Sequence, residues 1–218
     1  MRKIFILLAT IALIATGCSE EDEPKFDIIT LNETSKTLYF GDEYQIEAQS
    51  NSTIQYLSEN KYHAVVSETG LVKAAFVGET NILLSNGDDN KTVKIVVKPQ
   101  YNTYPIPDLS FGALRSTIIS KLGTPSKTTE DAISYSDYAT KAPIVMYHFD
   151  KDNKLIDVAV MVKFEYFSEL AAFLSERYFC ASVDDLVFFN GVTTESATFS
   201  ITADLYNLSY WMVVYTSI

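Results

Sequence analysis

Few side chains in this chain stand at spacings that do chemistry. Asp150-x-Asp152-x-Lys154 puts two carboxylates at the first and third positions of a would-be calcium loop. It lacks an oxygen ligand at the fifth position, the glycine at the sixth and the closing Glu at the twelfth, so a hairpin turn is expected there instead. Asp184-Asp185 are adjacent in sequence, which says nothing of the cross-cleft separation that a glycosidase needs. His63 has no second histidine or cysteine near it and reads as a solvated loop residue. Cys180 closes an apolar helical pattern and reads as a buried, inert thiol. No nucleophile elbow, phosphate loop or zinc spacing occurs. The expectation is therefore a protein without catalytic residues, metal site or cofactor. Aromatic residues make up 13% of the chain, with 14 tyrosines. Most belong in cores, but exposed Tyr and Trp offer a sugar ring or a partner protein a face to stack on. Tyr206, Tyr210, Trp211 and Tyr215 near the C-terminus are the candidate binding aromatics.

One residue at the other end has a stronger chemical reading. Arg2 and Lys3 precede an apolar run, Ile4 to Ala15, that is broken only by Thr10 and followed by small residues. This is the pattern of a secretory signal, too short for a spanning helix of about 20 residues. The mature chain is thus expected to hold no transmembrane helix. Ala15-Thr16-Gly17-Cys18 resembles the lipobox of bacterial lipoproteins, with Ala15 where that family prefers Leu. The resemblance implies acylation of Cys18 and cleavage before it, which anchors the chain to a membrane through lipid alone. The tract that follows, Ser19, Glu20, Glu21, Asp22 and Glu23, resembles the acidic export signal of Bacteroidota lipoproteins. That resemblance implies the outer membrane, facing the cell exterior.

Charge and cysteine count narrow the rest. The formal charge of −11 becomes two units more negative once Arg2 and Lys3 leave with the signal. Such a balance argues against nucleic acid and against anionic lipid surfaces, and leaves neutral glycans and proteins open. With Cys18 committed to lipid, Cys180 has no disulfide partner, so packed cores must hold the fold.

The segments expected are a signal peptide (1–17), a lipidated acidic tether (18–26), a first domain (27–99), a proline-containing linker (100–109) and a second domain (110–218). In the first domain, Ile28–Leu31, Thr37–Phe40, Tyr44–Ala48, Ile54–Leu57, Ala64–Val66, Leu71–Ala75, Asn81–Ser85 and Val93–Val97 read as strands, with a hairpin turn at Asn86-Gly87-Asp88-Asp89. Many short strands with frequent turns predict a β-sandwich. The order Leu57-Ser58-Glu59-Asn60, Ala64-Val65-Val66-Ser67, Gly70-Leu71-Val72-Lys73-Ala74, Val77-Gly78 and Val93 to Val97 resembles the bacterial Ig-like domain of group 2. Lys61-Tyr62-His63 stands where that family has one or two positions, which predicts a longer turn. Members of the family serve mostly as spacers or adhesion modules.

Tyr104-Pro105-Ile106-Pro107-Asp108 is expected to hold the two domains apart semi-rigidly. Beyond it, a helix from a Ser110 cap to Leu122, with Gly123 past its end, precedes three strands: Ile133–Tyr138, Ile144–Phe149 and Leu155–Val162. A second helix, with Phe167, Leu170, Leu174 and Tyr178 on one face, precedes three more at Leu186–Phe189, Ala197–Thr202 and Tyr210–Thr216, with Asn190-Gly191 as a turn. This order predicts a two-layer α+β domain of tandem αβββ repeats, an antiparallel sheet with two helices on one face. Gly112, Ile118, Leu122-Gly123, Pro125 and the hairpin from Tyr147-His148-Phe149-Asp150 to Lys154-Leu155-Ile156-Asp157-Val158 resemble the SmpA/OmlA-type lipoprotein domain, related in fold to β-lactamase-inhibitor proteins. The functional expectation is a non-enzymatic surface lipoprotein whose Ig-like spacer presents an α+β module to a glycan or protein. The alternative, implied by the second resemblance, is a periplasm-facing accessory in outer-membrane or barrel assembly.

Overall fold

The structure, a computed structural model, describes residues 26–218. Cys18 and the tract from Ser19 to Glu23 lie outside the described residues.

The first domain is a two-sheet sandwich of short strands. β1 (Thr30–Leu31) pairs with β4 (Ala48–Gln49). One sheet has the order β2 (Ser35–Tyr39), β9 (Asn90–Lys98), β8 (Gly78–Ser85) and β5 (Gln55–Ser58). The other runs β3 (Glu43–Gln45), β7 (Leu71–Ala74) and β6 (Ala64–Val66). β2 joins β9 in parallel and the other pairs are antiparallel. Alternation decides which residues go inward: Val93, Ile95 and Val97 of β9 and Ile82 and Leu84 of β8 are buried with Leu38, Ile46 and Val72. Each such side chain contributes about 1.5–3 kcal/mol of apolar transfer. The β8–β9 turn is built as its residues predict, with Gly87 at φ +94° and the Asn86 amide oxygen accepting the Asp88 and Asp89 N–H groups.

The second domain corrects the expected architecture. It is one eight-stranded antiparallel sheet with two short helices, nearly all β, and it is not a two-layer α+β domain of tandem αβββ repeats. The strands are β10 (Lys127–Thr128), β11 (Ala132–Ser136), β12 (Ile144–Phe149), β13 (Leu155–Lys163), β14 (Phe179–Ser182), β15 (Val187–Phe189), β16 (Phe199–Asn207) and β17 (Tyr210–Ser217). Their order is β10-β11-β12-β13-β17-β16-β15-β14, so two four-stranded meanders meet through their last strands. β13 at that junction is buried from Val158 to Val162 on both faces, a continuous apolar run that fits a central strand.

The helices are shorter than expected for a definite reason. α1 (Arg115–Leu122) buries Ile118 alone, while Leu114 and Leu122 are exposed. Ser110 does not cap it. Gly112 sits at φ +79°, and the backbone from Gly112 to Arg115 is bonded to the β12–β13 hairpin: Gly112 N–H to Leu155 O (2.8 Å), Leu155 N–H to Ala113 O (2.9 Å) and Arg115 N–H to Asn153 O (2.9 Å). Groups engaged there cannot form a first helical turn. α2 (Phe167–Ser175) buries Leu170, Phe173 and Leu174. It ends before Cys180, which therefore lies on β14, half-buried and paired with Phe188, instead of closing a helix.

Residues 100–109 do not hold the domains apart. Tyr104 is buried in the second core, its hydroxyl 2.9 Å from that of Tyr215, and Thr103 is buried with its hydroxyl on the Glu169 carboxylate. Tyr138 donates to the Pro105 carbonyl. The stretch is packed onto the second domain, and the first domain reaches that domain directly.

Candidate functional site

Two places on the molecule gather aromatic and polar groups. The first is the β16–β17 hairpin end, which holds the predicted aromatics. Tyr206 is 60% exposed, between Leu205 (50%) and Leu208 (89%). Asn207 shapes the turn, its amide oxygen accepting the N–H groups of Ser209 and Tyr210. Phe164, itself exposed, is fixed to the same turn by its N–H to the Ser209 carbonyl (2.8 Å). Trp211 pairs with Leu205 across the hairpin and stacks on Phe167, with ring centroids 4.3 Å apart at 23°, and on Phe164 at 6.4 Å and 10°. Its indole N–H is buried with no hydrogen-bond partner among the described residues. Tyr210 is half-buried.

Tyr215 does not belong to this group. It is fully buried in the second core, bonded to Tyr104 and edge-on to Tyr178, and cannot meet a ligand. Burial pushes the Tyr215 hydroxyl well above the usual tyrosine range, and that of Tyr178 to about 12. Position 215 lies two residues beyond the core residue Val213, on the same inward face of β17, which is the signal that separates it from Tyr206.

The second place is the joint between the domains, and reading the sequence did not find it as a site. Lys61-Tyr62-His63 is not a free turn. Tyr62 stacks on Phe76 (4.6 Å) and donates its hydroxyl to the Arg177 carbonyl at 2.7 Å. Burial raises the Tyr62 hydroxyl above its ordinary range. His63 is half-buried, one ring nitrogen 3.1 Å from the Phe76 carbonyl. That oxygen can only accept, so Nδ1 carries the proton. The ring lies over Gly78, where a Cβ would come within 2.2 Å of it.

On the other side, Glu176 is a buried acid, 3% exposed. Its carboxylate accepts the N–H groups of Gln100 (2.9 Å) and Tyr101 (3.1 Å) and pairs with the Arg177 guanidinium. Its carbonyl accepts the Val77 N–H of the first domain at 2.8 Å. Arg177 is spent on the Phe173 and Tyr101 carbonyls and lies over the Phe173 ring at 3.9 Å. Beside these contacts opens a cleft of about 680 Å³, bordered by Asn60, Lys61, Val77, Ile106, Gly191 and Val192.

The acidic motifs fall into structural roles. The Asp150 carboxylate accepts the Asp152 and Lys154 N–H groups and Asn153 takes φ +58°, which makes the β12–β13 turn. Asp185 bonds the Ser182 hydroxyl at 2.9 Å. Among the described residues no group of three or more His, Cys, Asp or Glu is arranged to hold a metal. None of the described helices is long and apolar enough to cross a membrane.

Residues 29–97 match the family model of the bacterial Ig-like domain, group 2. This stretch is a bacterial Ig-like domain. The match begins at the buried Ile29 and ends at Val97 of β9, so the Ig-like domain and the sandwich core coincide. Among solved structures, the chain is similar to domains 1–6 of the surface layer protein SbsC, with 13% identity and a TM-score of 0.30 over 88% of this chain and 22% of that one. It is similar also to domains 5–6 of SbsC (12% identity, TM-score 0.29, 88% of this chain and 85% of that one). A third is EC1-2 of human protocadherin-24 (14% identity, TM-score 0.28, 88% and 95%). The chain spans 21–27% of the three larger SbsC structures. No curated protein matches it.

Proposed function

We propose that this chain is a lipoprotein anchored in the outer membrane through Cys18 and facing the cell exterior. In it the Ig-like domain carries a β-sheet domain that binds a glycan or a protein without catalysis. The single observation that carries the binding part is the hairpin end. Leu205, Tyr206 and Leu208 are exposed along one hairpin end, where Leu205 pairs with Trp211 and Trp211 stacks on Phe164 and Phe167. Contiguous exposed apolar surface with aromatic anchors is the usual composition of a contact face. The anchoring and the address rest on the sequence motifs at Cys18 and from Ser19 to Glu23.

The test compares the full chain with its L205S/Y206S/L208S variant on a glycan array and in cell-surface crosslinking. Binding that disappears in the variant at an unchanged melting temperature supports the reading. A variant that binds as well as the parent overturns it.

A further inference from the structure

We propose that the cleft between the domains is a second binding site, and that it takes a sugar acid, a pyranose ring bearing a carboxylate. The Lys61 ammonium is exposed and makes no hydrogen bond or ion pair among the described residues. Among the described residues it is the one free cation on the cleft, because Arg177 is already shared among Glu176, Phe173 and Tyr101. The Asn60 side-chain oxygen is used by the Tyr62 N–H, which leaves its NH₂ donors pointing to no described partner. The open polar side chains are thus two donors, Lys61 and Asn60, beside the acceptor Nε2 of His63, and they favour an anionic ligand that also carries hydroxyls.

The lining also includes Ile106 (44% exposed), Val192 (49%) and Val77, which present aliphatic surface. Aliphatic surface suits the C–H face of a saturated ring. A carboxylate for Lys61, hydroxyls for Asn60 and a ring for the aliphatic wall together describe a uronate. The volume of about 680 Å³ falls in the usual range of small-molecule sites, roughly 300–1,000 Å³. Both domains contribute walls, so the site exists only while Tyr62 and Val77 are docked on Arg177 and Glu176. Nothing here depends on the hairpin end.

The probes are trigalacturonate, its methyl ester, which removes the charge and adds a methyl group at each carboxyl, and cyclohexanecarboxylate, which keeps the carboxylate and a saturated ring but has no hydroxyls, ring oxygen or further sugar units. They are titrated into the full chain in detergent micelles and followed by amide shifts in NMR. The acid should bind about tenfold more tightly than the ester, the gain of one charge-assisted contact. Shifts should centre on Asn60, Lys61, Gly191 and Val192. Lys61→Gln should erase the difference, and Val192→Trp, which fills the cleft, should abolish binding of both. Equal binding of acid and ester, no binding of either, or shifts elsewhere would overturn the site. Cyclohexanecarboxylate binding as tightly as the trisaccharide would overturn the sugar class.

Discussion

Glu176 brings a carboxylate to a place that is 3% exposed, and three stretches of chain close around it. Removing one member of such a buried, bonded pair leaves Arg177 uncompensated and two linker N–H groups without an acceptor. Loss of a partner from a buried pair costs about 3–5 kcal/mol. Urea unfolding of Glu176→Ala should show a fall of that size. His148 offers a finer reading of charge. Its hydrogen bond to Asp157 raises its pKa, burial works against this, and the charges of Asp157 and Asp131 add to it. The folded value lies above the unfolded one, so the pair's contribution is complete below the ordinary histidine pKa of about 6.5 and is lost as pH rises through the raised value. NMR titration of Asp157→Asn should move the His148 midpoint down. The buried tyrosines act in the same sense at high pH. Burial holds Tyr147 and Tyr178 at about 12, and Tyr104 and Tyr215 are raised as well. Their contribution is present below about pH 10 and disappears toward 12. The part of the tyrosinate absorbance that belongs to these buried residues should therefore rise together with the loss of near-ultraviolet dichroism in an alkaline transition above about pH 10.

At the scale of the element, the turn Lys61-Tyr62-His63 separates this Ig-like domain from the plain family pattern, and the structure gives the extra length a use. It reaches the second domain, and Gly78 makes room for its histidine ring. Gly78→Ala introduces a methyl group into His63 at a φ of +147° that L-residues resist. The variant should melt earlier, and adding His63→Ala should recover the steric part but not the backbone part, which a double-mutant cycle measures. The strands of this domain were legible because inward and outward residues alternate along them, as Val93, Ile95 and Val97 do. Ile144–Phe149 in the second sheet was legible for the same reason. β10 and β14 were not, since two and four residues at sheet edges leave no period to detect. The helical content was overread. Four-residue spacing from Leu114 to Leu122 suggests an apolar face, yet of those three residues Ile118 alone is buried, because the preceding backbone is held by the β12–β13 hairpin. Of the candidate aromatics, Tyr206 and Trp211 do stand at one end of the sheet, and Tyr215 does not. The domain joint was invisible because its partners, Tyr62 and Arg177, are distant in sequence and only the fold unites them.

For the whole molecule, the contacts that join the domains among the described residues include Tyr62 on Arg177 and Phe189 and Val77 on Glu176. Tyr62→Ala removes the larger buried contact while leaving both cores intact. Its radius of gyration by small-angle scattering should increase, and the stretch around Gln100 and Tyr101 should become open to protease. The proposal that this docked pair stands on the outside of the cell rests on Cys18 and the acidic tract, and one experiment reads it directly. Intact cells are treated with a protease that cannot enter, and the domain from residue 110 to 218 is followed by blot beside a periplasmic control. Loss of the domain with the control preserved is the result expected for a binding module facing the exterior. Protection of both would contradict it and place the protein in the periplasm.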